Sequence, residues 1–293
     1  MRVLLTGAGG QLGRVVQQCQ PAGIELLAPA RDQLDITHGE QLKHWVVERT
    51  PELVINCAAY TQVDKAESEP QLAEAANHIA VQQLAEFAGQ VCARVLHVST
   101  DYVFDGQANK PYPVTAPCAP QGVYGASKRK GEQALLKRLP EQSSVIRTSW
   151  LYASDGQNFL RTMLGLLASR ATLSVVVDQL GSPTHCGGLA WFIWWLAGQR
   201  STPPLLHWAD AGVASWYDFA TAIGEEAAAL GLLSDPAQVQ PISSRDYPQV
   251  APRPPYSVLD TSASYQLADQ APVHWREGLR RTLIDYQQNS QTV

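Results

Sequence analysis

The sequence predicts an α/β protein: a doubly wound parallel sheet followed by a smaller C-terminal lobe. Three observations carry this. Strand-like apolar runs alternate with helix-like segments through the first half of the chain, the pattern of parallel strands joined by helices. The strand cores are continuous Val/Ile/Leu runs, as expected of strands covered on both faces. After about Trp150 the rhythm changes, and Pro/Gly-rich stretches at residues 179–183, 201–204 and 247–255 separate helices of mixed length. Residues 1–150 are therefore expected to form the first domain. Residues 151–293 are expected to be mainly a substrate-facing lobe, with some segments returning to the first domain.

Taken in order, Arg2–Thr6 is the first strand, residues 11–19 a helix and residues 24–28 the second strand. Thr37-His38-Gly39-Glu40 has the Ser/Thr-x-x-Glu form of a capping box, and Leu42, Trp45, Val46 and Val47 follow at helical spacing. Residues 53–57 are a third strand, 72–88 a long Ala/Gln/Glu-rich helix and 91–99 a fourth strand. A helix over 124–138 and a fifth strand over 144–149 complete this half. The apolar run 189–197 is too short to span a bilayer and reads as a helix buried on most sides. Ser215-Trp216-Tyr217-Asp218 opens another helix, with Phe219, Ile223 and Ala227 along it.

Length and composition bound the function. A chain of 293 residues is one large domain or two joined ones, and 45% hydrophobic with 17% charged residues is ordinary globular usage. A formal net charge of −5 advertises no basic surface for nucleic acid, and no apolar run is long enough for a membrane span. The first apolar stretch is too short for a signal-peptide core, so a cytoplasmic location is expected. Cys19, Cys57, Cys92, Cys118 and Cys186 show no metal-ligand spacing and suit reduced thiols in a cytosolic protein. Cys57 and Cys92, in or beside apolar runs, are expected to pack as small hydrophobes.

Two motifs carry the chemistry. Gly7, Gly10 and Gly13 follow the first strand and open the first helix. Gly7 permits the tight turn, Gly10 lets backbone approach a pyrophosphate, and Gly13 lets the helix pack on the strand. The helix N-terminus adds free N–H groups and partial positive charge. A Rossmann-type dinucleotide site is the expectation. The end of the second strand selects the cofactor, because an acid there accepts from a free ribose 2′-hydroxyl whereas an arginine accommodates a 2′-phosphate. Arg31 stands at that turn with Asp32 behind it, which points to NADPH and leaves NADH open. Asp35 and Ile36 would lie near the adenine.

The second motif is Tyr124-Gly125-Ala126-Ser127-Lys128. Residues four apart on a helix share a face. An ammonium beside a phenol favours the phenolate and draws the tyrosine pKa down from about 10. Tyr124 would then hand a proton to a developing alkoxide. The fourth strand runs into Ser99-Thr100-Asp101-Tyr102 at the sheet edge where open α/β sheets bind ligands. Thr100 is placed there to donate a hydrogen bond to a substrate carbonyl.

Together these pieces resemble the dTDP-4-dehydrorhamnose reductases, a family of extended short-chain dehydrogenases/reductases. The matching segments are Leu4-Leu5-Thr6-Gly7 with Gly10-Gln11-Leu12-Gly13, Leu34-Asp35-Ile36-Thr37, residues 56–67, residues 99–106, Tyr124 to Lys128, residues 147–152 and Arg253-Pro254. They keep their order through nearly the whole chain. The resemblance implies NADPH-dependent reduction of the C4 ketone of dTDP-4-dehydro-L-rhamnose to dTDP-L-rhamnose, a precursor of surface polysaccharide. Thr100, Tyr124 and Lys128 would be the catalytic set. Gly10, Gln11 and Leu12, Asp35 with Ile36, Ala58-Ala59-Tyr60 and the Tyr124/Lys128 pair would contact the dinucleotide. Thr100, Asp101 and Trp150 would contact the deoxysugar, and Arg253 its pyrophosphate, since a guanidinium matches phosphate oxygens bidentately. A loop ion pair is the alternative for Arg253, and core packing the alternative for Trp150. Three other functions stay open: a reductase or epimerase on another nucleotide-deoxysugar, a non-catalytic dinucleotide-binding regulatory subunit, and a plain Rossmann oxidoreductase acting on small alcohols. Some members hold magnesium at a dimer interface through glutamates. The corresponding stretches here, Arg14-Val15-Val16 and His185-Cys186-Gly187-Gly188, carry no carboxylate, so no metal and a monomer or weak dimer are expected.

Overall fold

The computed structural model describes residues 1–291. Six strands form the main sheet: β1 (Arg2–Thr6), β2 (Glu25–Leu27), β3 (Leu53–Asn56), β4 (Arg94–Thr100), β5 (Ser143–Thr148) and β6 (Leu205–His207). All are parallel, in the order β6-β5-β4-β3-β1-β2. The chain runs outward from β1 to β2 and then crosses back to β3. That reversal opens a crevice at the carboxyl ends of β1 and β3, where doubly wound sheets place their ligands.

The strand residues divide by parity. Val3, Leu5, Leu53, Ile55, Leu96 and Ile146 pack on one face against α1 (Gln11–Gln18) and the Cys186–Gly198 helix. Leu4, Val54, Val95 and Val145 pack on the other, against the helix Ala80–Gln90 and Leu135 of α2, the long helix Val123–Arg138. Both faces are buried, which is why the strands read as unbroken apolar runs. Each such side chain contributes about 1.5–3 kcal/mol by leaving water.

Residues 186–207 return to this sheet: the helix covers one face and β6 extends the edge beside β5. A second core forms around Tyr152, Leu160, Leu167, Phe219, Ile223 and Trp275. Beside it the strands Thr172–Val176 and Gln238–Ile242 pair in parallel. Among the described residues no helix is long and apolar enough to cross a membrane.

The structure departs from the sequence reading at three places. The long helix expected over 72–88 spans 70–90, but a π turn at Ala75–Ile79 interrupts it. The capping box at Thr37 does not form; the Asp35 carboxylate captures both the backbone N–H and the hydroxyl of Thr37, and His38 takes the cap position without a side-chain bond. Cys92 is exposed at φ 56° in the turn that delays β4 to Arg94, so it does not pack as a small hydrophobe. At Ser215 the box does form, since the Ser215 hydroxyl accepts from Asp218 N while the Asp218 carboxylate accepts from Ser215 N.

Candidate active site

The glycine-loop side of the crevice is built from backbone. Gly7 sits at φ +71°, and a Cβ on it would lie 2.6 Å from Ala58 N. Gly13 faces the Gly7 carbonyl so closely that a Cβ has no room. Gly10 N donates to Gly7 O at 2.9 Å, and Gly10 caps α1 without any side-chain bond or acid in the first turn. The first amides of α1 are left for an anion, so the cradle suits a diphosphate. The Leu12 side chain is buried in the core, leaving only its backbone for a ligand. Gln11 is committed sideways: Nε2 donates to Leu151 O at 3.1 Å and Oε1 accepts from Asn158 Nδ2 at 2.7 Å.

Arg31 extends into solvent, 89% exposed, with Nε 3.5 Å from Asp35 Oδ2. Ile36 lies in the core beside Leu34 and Leu42 rather than forming an open apolar wall. The Ala58–Tyr60 segment leaves β3 and is held by amide side chains. Ala58 N donates to Asn56 Oδ1 at 3.1 Å, Tyr60 N donates to Asn77 Oδ1 at 2.9 Å, and Asn77 Nδ2 returns a bond to Tyr60 O at 3.0 Å.

The catalytic candidates meet at the carboxyl end of β4. Thr100 is its last residue; its hydroxyl donates to Asp101 Oδ1 at 3.0 Å, accepts from Tyr102 N at 3.2 Å and lies close to the Tyr124 phenol. Tyr124 is half-buried, with the Tyr102 ring edge-on at 6.0 Å. Burial pushes its pKa up to about 12, against the lowering effect of Thr100. Lys128 is buried on the same helix and turned inward, Nζ donating to Val98 O at 2.7 Å. The expected depression of Tyr124 by Lys128 is therefore not present. The amine serves a strand carbonyl, and desolvation outweighs any help to the phenolate. Burial also brings Lys128 down to about 8. Asp101 is buried with Oδ2 lacking a hydrogen-bond partner among the described residues, and burial raises it to about 7. An orphaned oxygen beside Thr100 suits a sugar hydroxyl.

The opposite side is built from side chains brought together from distant segments. Trp150 sits at φ 48°, its ring stacked on Trp216 at 3.5 Å and 3° and backed by Gly181. Arg253 forms the ion pair that the sequence left as its alternative, with Nη2 2.6 Å from Asp64 Oδ2 and Nη1 3.0 Å from Oδ1. Asp64 also accepts from Ala251 N at 3.0 Å. The pair ties the 249–253 loop to the segment that follows Tyr60. Pro252 and Pro254 then line a small hollow beside Tyr124.

Several residues of this constellation carry no local signal. Asn77, in the π turn, joins Tyr60 to Ser127 of the Tyr124 helix. Such turns recur where a helix must turn a side chain toward a site. Glu67 accepts from Val123 N at 2.8 Å and so caps that helix. Arg14 bonds Asp155 at 2.7 Å and the Gly9 carbonyl, strapping the glycine loop to the segment after Trp150. Beneath Lys128, the buried Glu132 carboxylate accepts from Arg147, Arg129 and Ser99. Among the described residues no cluster of three or more metal-ligating side chains occurs.

Comparison with known proteins places the chain. The model of the RmlD substrate binding domain family matches residues 1–288. A dTDP-4-dehydrorhamnose reductase of Mycobacterium tuberculosis is 43% identical over 96% of this chain and 92% of its own. A probable dTDP-4,6-dihydroxy-2-methyloxan-3-one 4-ketoreductase of Streptomyces antibioticus is 40% identical over 97% of this chain and 95% of its own. Among solved structures, the Bacillus anthracis dTDP-4-dehydrorhamnose reductase in complex with NADP has a TM-score of 0.90 and 37% identity, covering 97% of this chain and 99% of that one.

Proposed function

The chain belongs to the RmlD substrate binding domain family, and on that premise we propose that it reduces the C4 ketone of dTDP-4-dehydro-L-rhamnose to dTDP-L-rhamnose with NADPH. One observation supports this above the rest: Thr100 at the carboxyl end of β4 and Tyr124 in the first turn of α2 lie together, close enough for Thr100 to favour the Tyr124 phenolate, within the crevice flanked by the glycine cradle.

NADPH, when bound, supplies the hydride to the carbonyl carbon. Tyr124 gives its proton to the carbonyl oxygen, so C=O becomes CH–OH and a phenolate remains. A phenol raised to about 12 stays protonated at neutral pH, the state a proton donor needs. Thr100 turns its hydroxyl from Asp101 to the carbonyl oxygen and polarises it. Lys128 holds the nicotinamide ribose, and its ammonium, turned from Val98 O toward the phenol, steadies the phenolate. Asp101 receives a sugar hydroxyl on its free oxygen, Trp150 presents a ring to the deoxysugar, and Arg253 meets the pyrophosphate. Gly7, Gly10 and Gly13 with the backbone of Gln11 and Leu12 hold the cofactor diphosphate, Arg31 its 2′-phosphate, and Asp35 with Ala58–Tyr60 its adenosine end. Residues 1–150 act as the NADP-binding domain and residues 151–293 mainly as the substrate lobe. A cytoplasmic location and a monomer or weak dimer go with this reading.

A second reading rests on the Streptomyces antibioticus relative: a ketone of another dTDP-deoxysugar is reduced by the same set. NADPH oxidation measured with dTDP-4-dehydro-L-rhamnose, its UDP counterpart and other 4-keto nucleotide sugars tests both. Turnover preferring the first substrate is expected. Faster turnover of another dTDP-ketosugar favours the second reading, and no turnover of any rejects catalysis.

A further inference from the structure

The register of three neighbouring strands sets one polar residue from each in a row. Thr6 of β1 pairs with Asn56 of β3, and Asn56 pairs with His97 of β4. All three are buried. They follow Leu4, Val54 and Val95 by two residues, so they share the sheet face covered by α2, and the row ends at Lys128.

The directions along the row follow from its one fixed donor. Ala58 N, a backbone amide, can only donate, and it donates to Asn56 Oδ1 at 3.1 Å. The Thr6 hydroxyl donates to the same oxygen at 2.6 Å. Asn56 therefore turns its amide nitrogen to His97, and Nδ2 lies 2.9 Å from His97 Nδ1. An amide NH₂ only donates, so His97 Nδ1 accepts. A neutral imidazole accepting at Nδ1 carries its proton on Nε2. That Nε2 lies 3.5 Å from Lys128 Nζ.

We infer that His97 is a positioning residue: through a tautomer imposed by Asn56 it turns an N–H donor toward the Lys128 amine, and so makes Lys128 a proton-exchanging group rather than a permanent cation. An ammonium has no lone pair to accept that N–H, whereas the neutral amine accepts it while still donating to Val98 O. The inference deepens the proposed reduction and rests on Lys128 serving it. The other groups facing Nζ do not reverse the effect. Cys57, at the end of β3, is held as a thiol by burial. Glu132, one turn along the helix, is already matched by Arg147 and Arg129. Burial of His97 keeps the imidazole neutral, and Lys128 itself is brought down to about 8.

Asn56→Asp is the near-isosteric test. A carboxylate there still accepts from Ala58 N and Thr6, but it demands an N–H from His97 Nδ1, which turns Nε2 into an acceptor for an ammonium. In protein with ¹⁵N-labelled histidine, His97 is identified among the seven histidines by the signal lost in His97→Phe. The wild type is expected to show a pyridine-like Nδ1 and a pyrrole-like Nε2, with the order reversed in Asn56→Asp. The alkaline limb of kcat/KM for NADPH, which reports the free enzyme, is expected near Lys128's value of about 8. Asn56→Asp should raise it by about one unit or more, roughly a tenfold change in proton affinity. Added negative charge alone would also raise it, so Asn56→Asp is repeated in the His97→Phe background, where the limb should not move. His97→Gln, which keeps a carbonyl toward Asn56 and an N–H toward Nζ, should leave the wild-type limb in place and covers the case in which His97→Phe melts early. A pyrrole-like Nδ1 in the wild type, or an equal limb shift in both backgrounds, overturns the inference. If the wild type oxidises no NADPH, the reductase reading falls. The His97 Nε2 shift, followed against pH, then still reports the charge on Nζ without turnover and decides this inference separately.

Discussion

The two sides of the crevice are made of different material. The side proposed to hold the cofactor is backbone: Gly7, Gly10 and Gly13, the first amides of α1, and the Ala58–Tyr60 turn held by Asn56 and Asn77. The side proposed to hold the substrate is side chain: Trp150 on Trp216, and Arg253 held by Asp64. Backbone surfaces are shaped by exclusion, because what matters is the absence of a Cβ. Side-chain surfaces are shaped by contacts between residues far apart in sequence. The first kind should fail when atoms are added and the second when atoms are removed.

Tyr124 stands at the seam, so removing its hydroxyl should disturb neither side. Tyr124→Phe is expected to lower kcat by about 10²–10⁴-fold, the usual worth of a general acid, while NADPH binding by fluorescence titration stays within about twofold; a residual rate near wild type would sink the assignment. Gly13→Val adds atoms against the Gly7 carbonyl. It should weaken NADPH binding by about tenfold or more and cost roughly 1–3 kcal/mol of stability from overpacking, visible as a lowered melting temperature. Unchanged NADPH affinity would break the contrast on its backbone side.

Asp101 tests the carboxylate between them. The unfolded chain releases this proton near pH 4 and the folded chain near 7. Between those values the folded state binds the extra proton, so stability falls as pH rises from about 4 to 7. Asp101→Asn should remove that slope and gain about 2 kcal/mol above pH 7, about half the nominal value of the shift to allow for relaxation. Denaturant melts across that range decide it.

Arg253→Ala removes atoms from the substrate side. The sugar nucleotide KM should rise about 10- to 30-fold, as for lost hydrogen bonds to a charged group, with the NADPH Kd held. Equal losses for both ligands would mean that the loop tie to Asp64, rather than pyrophosphate contact, is what Arg253 contributes. Trp216→Ala leaves Trp150 without its stacked partner and should cost about 0.5–1.5 kcal/mol, a several-fold rise in sugar KM alone.

Much of the first domain was legible because its signals are local. Strand–helix alternation and the glycine spacing each need only a short window. Thr37 misled because Asp35, two residues earlier, competes for the same donors. The long helix hid its π turn because Asn77 lies in an otherwise helix-favouring stretch, and its partners are Tyr60 and Ser127. Tyr124 and Lys128 were visible as one helical face, but not the inward turn of the amine to Val98 O.

By itself the sequence determined the doubly wound α/β fold, the tight glycine turn between β1 and α1 and the phenol–amine spacing, because each follows from backbone conformation or periodicity within one or two elements. Only the tertiary structure decided the Thr6–Asn56–His97 row, the Trp150–Trp216 stack and the Arg253–Asp64 pair. Those depend on strand register and on where distant loops land, and both are set by packing the whole core rather than by any local run of residues.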